Sequence, residues 1–173
     1  MTRLEGIQEL TREGYRTLQR RYPGRFDLGG CVLLGKQYAH PASRAVVLGI
    51  NPGTGEWTGL DVGLQAHNHL LEGPDSARHR YFTSARVFFH ASPTPHEAVR
   101  LATFSFCCPY RTASWSDLAP ELRTALIEAS RPVLRRLTRD CQPGLVVVAG
   151  VDGFRAFEET LGRTLQVERP ISR

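Results

Sequence analysis

Lysine is nearly absent from this chain. Of its 22 basic residues only Lys36 is a lysine; the rest are arginines, set against 17 acidic residues for a net charge of +5. A planar guanidinium suits bidentate phosphate contacts and guanine edges, although a GC-rich coding sequence supplies the same bias. The balance, with an isoelectric point near 9.4, permits a nucleic-acid partner without requiring one. Cysteine is also scarce, at positions 31, 107, 108 and 141. No Cys-x-x-Cys pair occurs, which argues against a zinc ribbon or a dithiol redox motif. No apolar stretch nears the ~18 residues of a membrane span, and Met1-Thr2-Arg3-Leu4-Glu5 lacks the apolar core of a secretory signal. Repeats and low-complexity tracts are missing too. A single cytoplasmic domain over residues 1–173, with no membrane association, is therefore expected.

What is present is ordinary in bulk, 41% hydrophobic and 23% charged, but ordered in sequence. Residues 4–21 carry Leu4, Ile7, Leu10, Tyr15 and Leu18 at near-helical spacing, ended by Pro23-Gly24. Ala45-Val46-Val47-Leu48-Gly49-Ile50 is a short apolar run that stops at Asn51-Pro52-Gly53. Such a run suits a strand buried on both faces. Pro52 cannot donate to a ladder and Gly53 can take a positive φ, so the strand ends there. A second strand is expected at 104–107, ended by Pro109, and a third at 145–149. Between them a helix over about 117–140 is expected, capped by Ser116 or Asp117, with Pro132 kinking it or dividing it in two. A last helix spans about 151–161 and closes at Gly162, and Leu165-Gln166-Val167 alternates like a further strand. Strands alternating with helices imply a parallel sheet. In that arrangement Asn51 stands at the carboxyl end of a central strand, where open α/β sheets place ligands. An Asx-Pro turn with no ligand is the competing reading of the same residues.

Gly49-Ile50-Asn51-Pro52-Gly53 after an apolar strand resembles the first motif of the uracil-DNA glycosylase superfamily, nearest its mismatch-specific and single-strand-selective branches. Thr103-Phe104-Ser105-Phe106-Cys107-Cys108-Pro109-Tyr110-Arg111 resembles that family's second strand and turn. Pro143-Gly144-Leu145-Val146-Val147-Val148-Ala149-Gly150 resembles the next strand. The resemblance covers roughly residues 40–165, in family order. It implies an α/β fold, a three-layer α/β/α sandwich around a central, mostly parallel four-stranded sheet. It also implies hydrolysis of the N-glycosidic bond of uracil or another damaged base in DNA, by a monomer without a cofactor. Cluster-bearing relatives have a close N-terminal cysteine pair that this chain does not.

Within that resemblance Asn51 is the catalytic candidate, orienting the attacking water and stabilising an oxocarbenium-like transition state. Gly49, Ile50, Pro52 and Gly53 would border the base pocket, small residues permitting close approach. An aromatic platform is expected to stack on the flipped base; Trp57 is the first candidate, with Phe82 and Phe106 behind it, each also readable as core. Arg111 and Tyr110 are candidate DNA contacts, Arg111 being equally readable as a turn cap. His67 and His69 read as solvated or core imidazoles rather than catalysts. Two features depart from the family pattern. Phe106 stands where the family's second motif has an Asn that reads the pyrimidine edge, and the chain ends at Arg169-Pro170-Ile171-Ser172-Arg173 with no His-Pro-Ser-type segment. They motivate an alternative, a catalytically inactive nucleic-acid or nucleobase-binding member of the same fold. A phosphate site at Gly53-Thr54-Gly55 is a weaker third reading, because no Walker lysine follows.

Overall fold

A computed structural model describes residues 3–26, 45–53, 102–112 and 114–161. They form a mixed α/β unit, in the order α1 (Arg3–Arg21), β1 (Ala45–Gly49), β2 (Thr103–Phe106), α2 (Pro120–Cys141), β3 (Leu145–Val148) and α3 (Val151–Leu161). The three strands make one parallel sheet in the order β2-β1-β3. The apolar run is thus the central strand, with Val46, Val47 and Leu48 fully buried. Because side chains alternate along a strand, Val46 and Leu48 share one face and Val47 lies on the other.

The helices follow from their apolar stripes. Ile7, Thr11 and Leu18 are the buried face of α1, half-buried Leu10 and Tyr15 flank it, and the Thr11 hydroxyl is satisfied by the Ile7 carbonyl at 2.8 Å. Arg20 and Arg21 in the last turn suit the helix dipole, and Gly24 takes φ +72° in the turn beyond. Helix α2 packs on α1 and α3. Its apolar face, with Ile127, Val133, Leu134, Leu137 and Cys141, joins Ile7, Val46, Leu48 and Phe157 in the main core. A second cluster around Tyr110 unites Leu18, Phe26, Ala125 and Leu126.

The expected start of α2 is corrected, and one reading of Pro132 is removed. It begins at Pro120 behind Ala119, with no side-chain cap. A residue before proline is pushed out of the helical region, and Ala119 sits accordingly at φ −59°, ψ 146°. Ser116 instead shares exposed hydrogen bonds with Ser114 and Asp117. Of the two readings of Pro132, division is excluded: one helix runs through it, the proline on the exposed side. The helix closes at Gln142, left-handed at φ 43°, whose N–H donates to the Thr138 carbonyl. The expected closure of α3 at Gly162 and the strand candidate 165–167 lie outside the described residues, as does Cys31-Val32-Leu33-Leu34.

Candidate functional site at the carboxyl edge of the sheet

The β1–β2 ladder continues past both strands. Cys107 N–H donates to the Gly49 carbonyl and Cys108 N–H to the Ile50 carbonyl, each at 2.8 Å. Just beyond the sheet edge Asn51 and Thr112 meet although 61 residues apart. The Asn51 carboxamide donates from Nδ2 to Thr112 Oγ1 at 2.7 Å and to the Pro52 carbonyl at 3.2 Å. Asn51 is half-buried, Pro52 and Thr112 are buried, and Gly53 is exposed. Gly53 does not use a positive φ, so the end of β1 is set by Pro52, which has no N–H to give, and not by glycine.

On the other side β3 turns sharply through Gly150, at φ +80°, into α3. Gly153 of that helix lies against Val148 and the backbone of Ile50, with 3.3 Å left for any Cβ, and its carbonyl accepts the Cys107 thiol at 3.4 Å. The start of α3 therefore adjoins the end of β1. Since the chain steps one way from β1 to β2 and back across β1 to β3, the β1/β3 edge is a topological switch point, the usual ligand position in open parallel sheets.

The candidate residues fall into three groups. Gly49, Ile50, Asn51, Pro52 and Gly53 form the end of β1 and the turn after it, and Phe106 is the register partner of Gly49, half-buried. Tyr110 and Arg111 are both buried. Tyr110 is 0% exposed, its ring inside the second core cluster and its hydroxyl donating to the Ala129 carbonyl. Arg111 is only 5% exposed. Tyr110, just past β2, packs against Leu18 of α1 and Ala125 and Leu126 of α2. Trp57, Phe82, His67 and His69 lie outside the described residues.

Thr112 was not singled out from the sequence. Register gave no signal for it: Gly49 pairs with Phe106, which sets Cys108 and not Thr112 opposite Asn51, so the contact is made by the turn after Cys108.

The thiols here are not nucleophiles. Burial pushes Cys107 well above its ordinary pKa, and adjacent Cys108 adds to the rise. Cys108 is pushed up to about 12, chiefly by burial; a hydrogen bond with Ser130 opposes this and Glu159 adds to it. Both stay protonated at neutral pH, when only a thiolate attacks. Burial raises Tyr110 likewise. Among the described residues no group of three or more His, Cys, Asp or Glu side chains could hold a metal ion, and no helix is long and apolar enough to cross a membrane. What the edge offers is a fixed carboxamide beside small backbone units, able to hold a water or a polar ligand edge. No family model matches the chain, and neither the curated proteins nor the solved structures give a match.

Proposed function

We propose that the protein is a DNA glycosylase-like hydrolase of N-glycosidic bonds, acting on uracil or another damaged base, with Asn51 orienting the attacking water. The observation carrying this reading is the anchored Asn51 carboxamide at the carboxyl end of the central parallel strand, in a sequence context resembling the family's first motif. An amide is a weak base, so orientation and charge stabilisation are its contribution, and turnover is slow. The full reading includes a fourth strand and helices on both sheet faces. Val47, buried opposite Val46 and Leu48, supports a sheet covered on both sides. The partner is DNA, the protein acts as a monomer, and no cofactor takes part.

The test is single-turnover base release from single-stranded and duplex oligonucleotides carrying uracil, a U·G mismatch, hypoxanthine or xanthine. Wild type releases base and Asn51→Ala does so at least about 100-fold more slowly, the scale of a lost transition-state donor or orienting group. Equal rates in the two proteins would remove Asn51 from the mechanism.

A second reading is a non-catalytic nucleobase-binding protein. Phe106 beside Gly49 favours it, since a phenyl ring stacks on a base but cannot hydrogen-bond its edge. It is expressed as salt-sensitive binding of DNA with no base release from any substrate.

A further inference from the structure

We infer that Thr112 is the positioning residue of this site, fixing Asn51 so that its carbonyl oxygen, and not its NH2, meets the ligand. The inference rests on the functional reading above for its catalytic consequence, but its geometry stands alone. A carboxamide has two N–H donors and one carbonyl acceptor. Both donors of Asn51 are engaged inside the protein, by Thr112 Oγ1 at 2.7 Å and by the Pro52 carbonyl at 3.2 Å. Among the described residues Oδ1 accepts nothing.

The two partners divide the work. A flipped amide would set Oδ1 against the Pro52 carbonyl, which can never donate, so Pro52 selects the orientation. Thr112 supplies the shorter bond, and supplies it from a distant segment of the chain. It reaches Asn51 from the turn that follows Cys108, whose N–H is held by the Ile50 carbonyl. The ligand of Asn51 must then present a hydrogen to Oδ1. A water is such a ligand: Oδ1 accepts from one of its hydrogens, which turns an oxygen lone pair toward the sugar carbon. An N–H of a nucleobase is chemically the other candidate, and the arms below separate the two.

The experiment compares wild type, Thr112→Val and Thr112→Ser. Valine keeps the shape and deletes the acceptor; serine keeps the hydroxyl. Single-turnover base release falls about 10- to 100-fold in Thr112→Val, the usual cost of a misplaced reacting group, while the Kd for substrate DNA and the melting temperature hold. Thr112→Ser restores the rate. A loss confined to Kd shows Oδ1 holding the base and overturns the water assignment. A rate equal to wild type in Thr112→Val overturns positioning altogether. A readout independent of activity is proton exchange of the Asn51 side-chain NH2 by 15N NMR, assigned by its loss in Asn51→Ala. Both protons exchange more slowly than those of a free carboxamide in wild type, and faster in Thr112→Val. Free-amide exchange in wild type refutes the anchored orientation. A wild type releasing no base sinks the glycosylase reading instead, leaving the exchange data to decide the role of Thr112.

Discussion

Gly14 and Tyr110 show how one residue's absence of a side chain makes room for another's. A Cβ at Gly14 would collide with the Tyr110 hydroxyl and crowd the Ala129 carbonyl that accepts from it. Helix propensity alone favours alanine there by about 1 kcal/mol. The buried ring has nowhere to move, and overpacking of this kind costs about 1–3 kcal/mol. Gly14→Ala is therefore expected to destabilise by up to about 2 kcal/mol in urea unfolding. In a Tyr110→Phe background the same change becomes neutral or stabilising, because the colliding atom is gone. Additivity across that cycle would show that the clash is not the cause. Gly53 is the contrasting case, since a Cβ there meets none of the described residues. Gly53→Ala leaves the melting temperature within about 2 °C, as expected for a change within ±0.5 kcal/mol. If a sugar or base closes on that turn, the same variant slows base release, a difference that assay and melt together detect.

Helix α2 carries its own local conflict. Pro132 deletes the bond to the carbonyl of residue 128 and crowds that carbonyl, yet the helix continues for nine residues to Cys141. Packing overrides propensity here: Ser130, Val133, Leu134 and Leu137 are all buried around the proline. Pro132→Ala is expected to stabilise, because proline is about 3 kcal/mol worse than alanine inside a helix. The freer unfolded chain takes back about 0.4–1 kcal/mol of that gain, leaving about 2 kcal/mol, read as a raised urea midpoint at constant slope. No gain would mean that the residue 128 carbonyl and the neighbouring turn are already relaxed around the ring. Elements were also where the sequence was most legible. The apolar runs at 45–50, 103–107 and 145–149 and the amphipathic stripes of α1, α2 and α3 mark the described elements within a few residues. The start of α2 was misplaced because a good capping residue, Ser116, outweighed Pro120, whose effect on Ala119 decides the matter.

At the scale of the whole molecule, buried protonated groups tie stability to pH. Cys107, Cys108 and Tyr110 all have folded pKa values above their ordinary ones. The folded state therefore keeps its protons when the unfolded chain begins to lose them, so stability falls as pH rises. Stability is full below about pH 8, where thiols of the unfolded chain are protonated. Above about pH 9 it declines by up to ~1.4 kcal/mol per pH unit for each thiol, and Tyr110 joins only above about pH 10. For Cys108 the decline continues toward the folded value of about 12. Urea midpoints at pH 7, 8, 9 and 10 check this, and Cys108→Ala flattens part of the alkaline slope. An unchanged midpoint from pH 8 to 10 would contradict the burial of these groups.

The sequence by itself determined the local elements and their type, because hydrophobic period, proline and glycine act over a few neighbouring residues. It likewise placed Asn51 at a strand end, since Pro52 halts the ladder wherever that strand sits. Only tertiary structure decided what surrounds it. That Tyr110 and Arg111 are buried and that Thr112 anchors Asn51 depend on how the segment after β2 packs against the rest of the fold. Contacts between residues 61 apart leave no periodic trace in a single sequence; they arise when folding brings distant segments together.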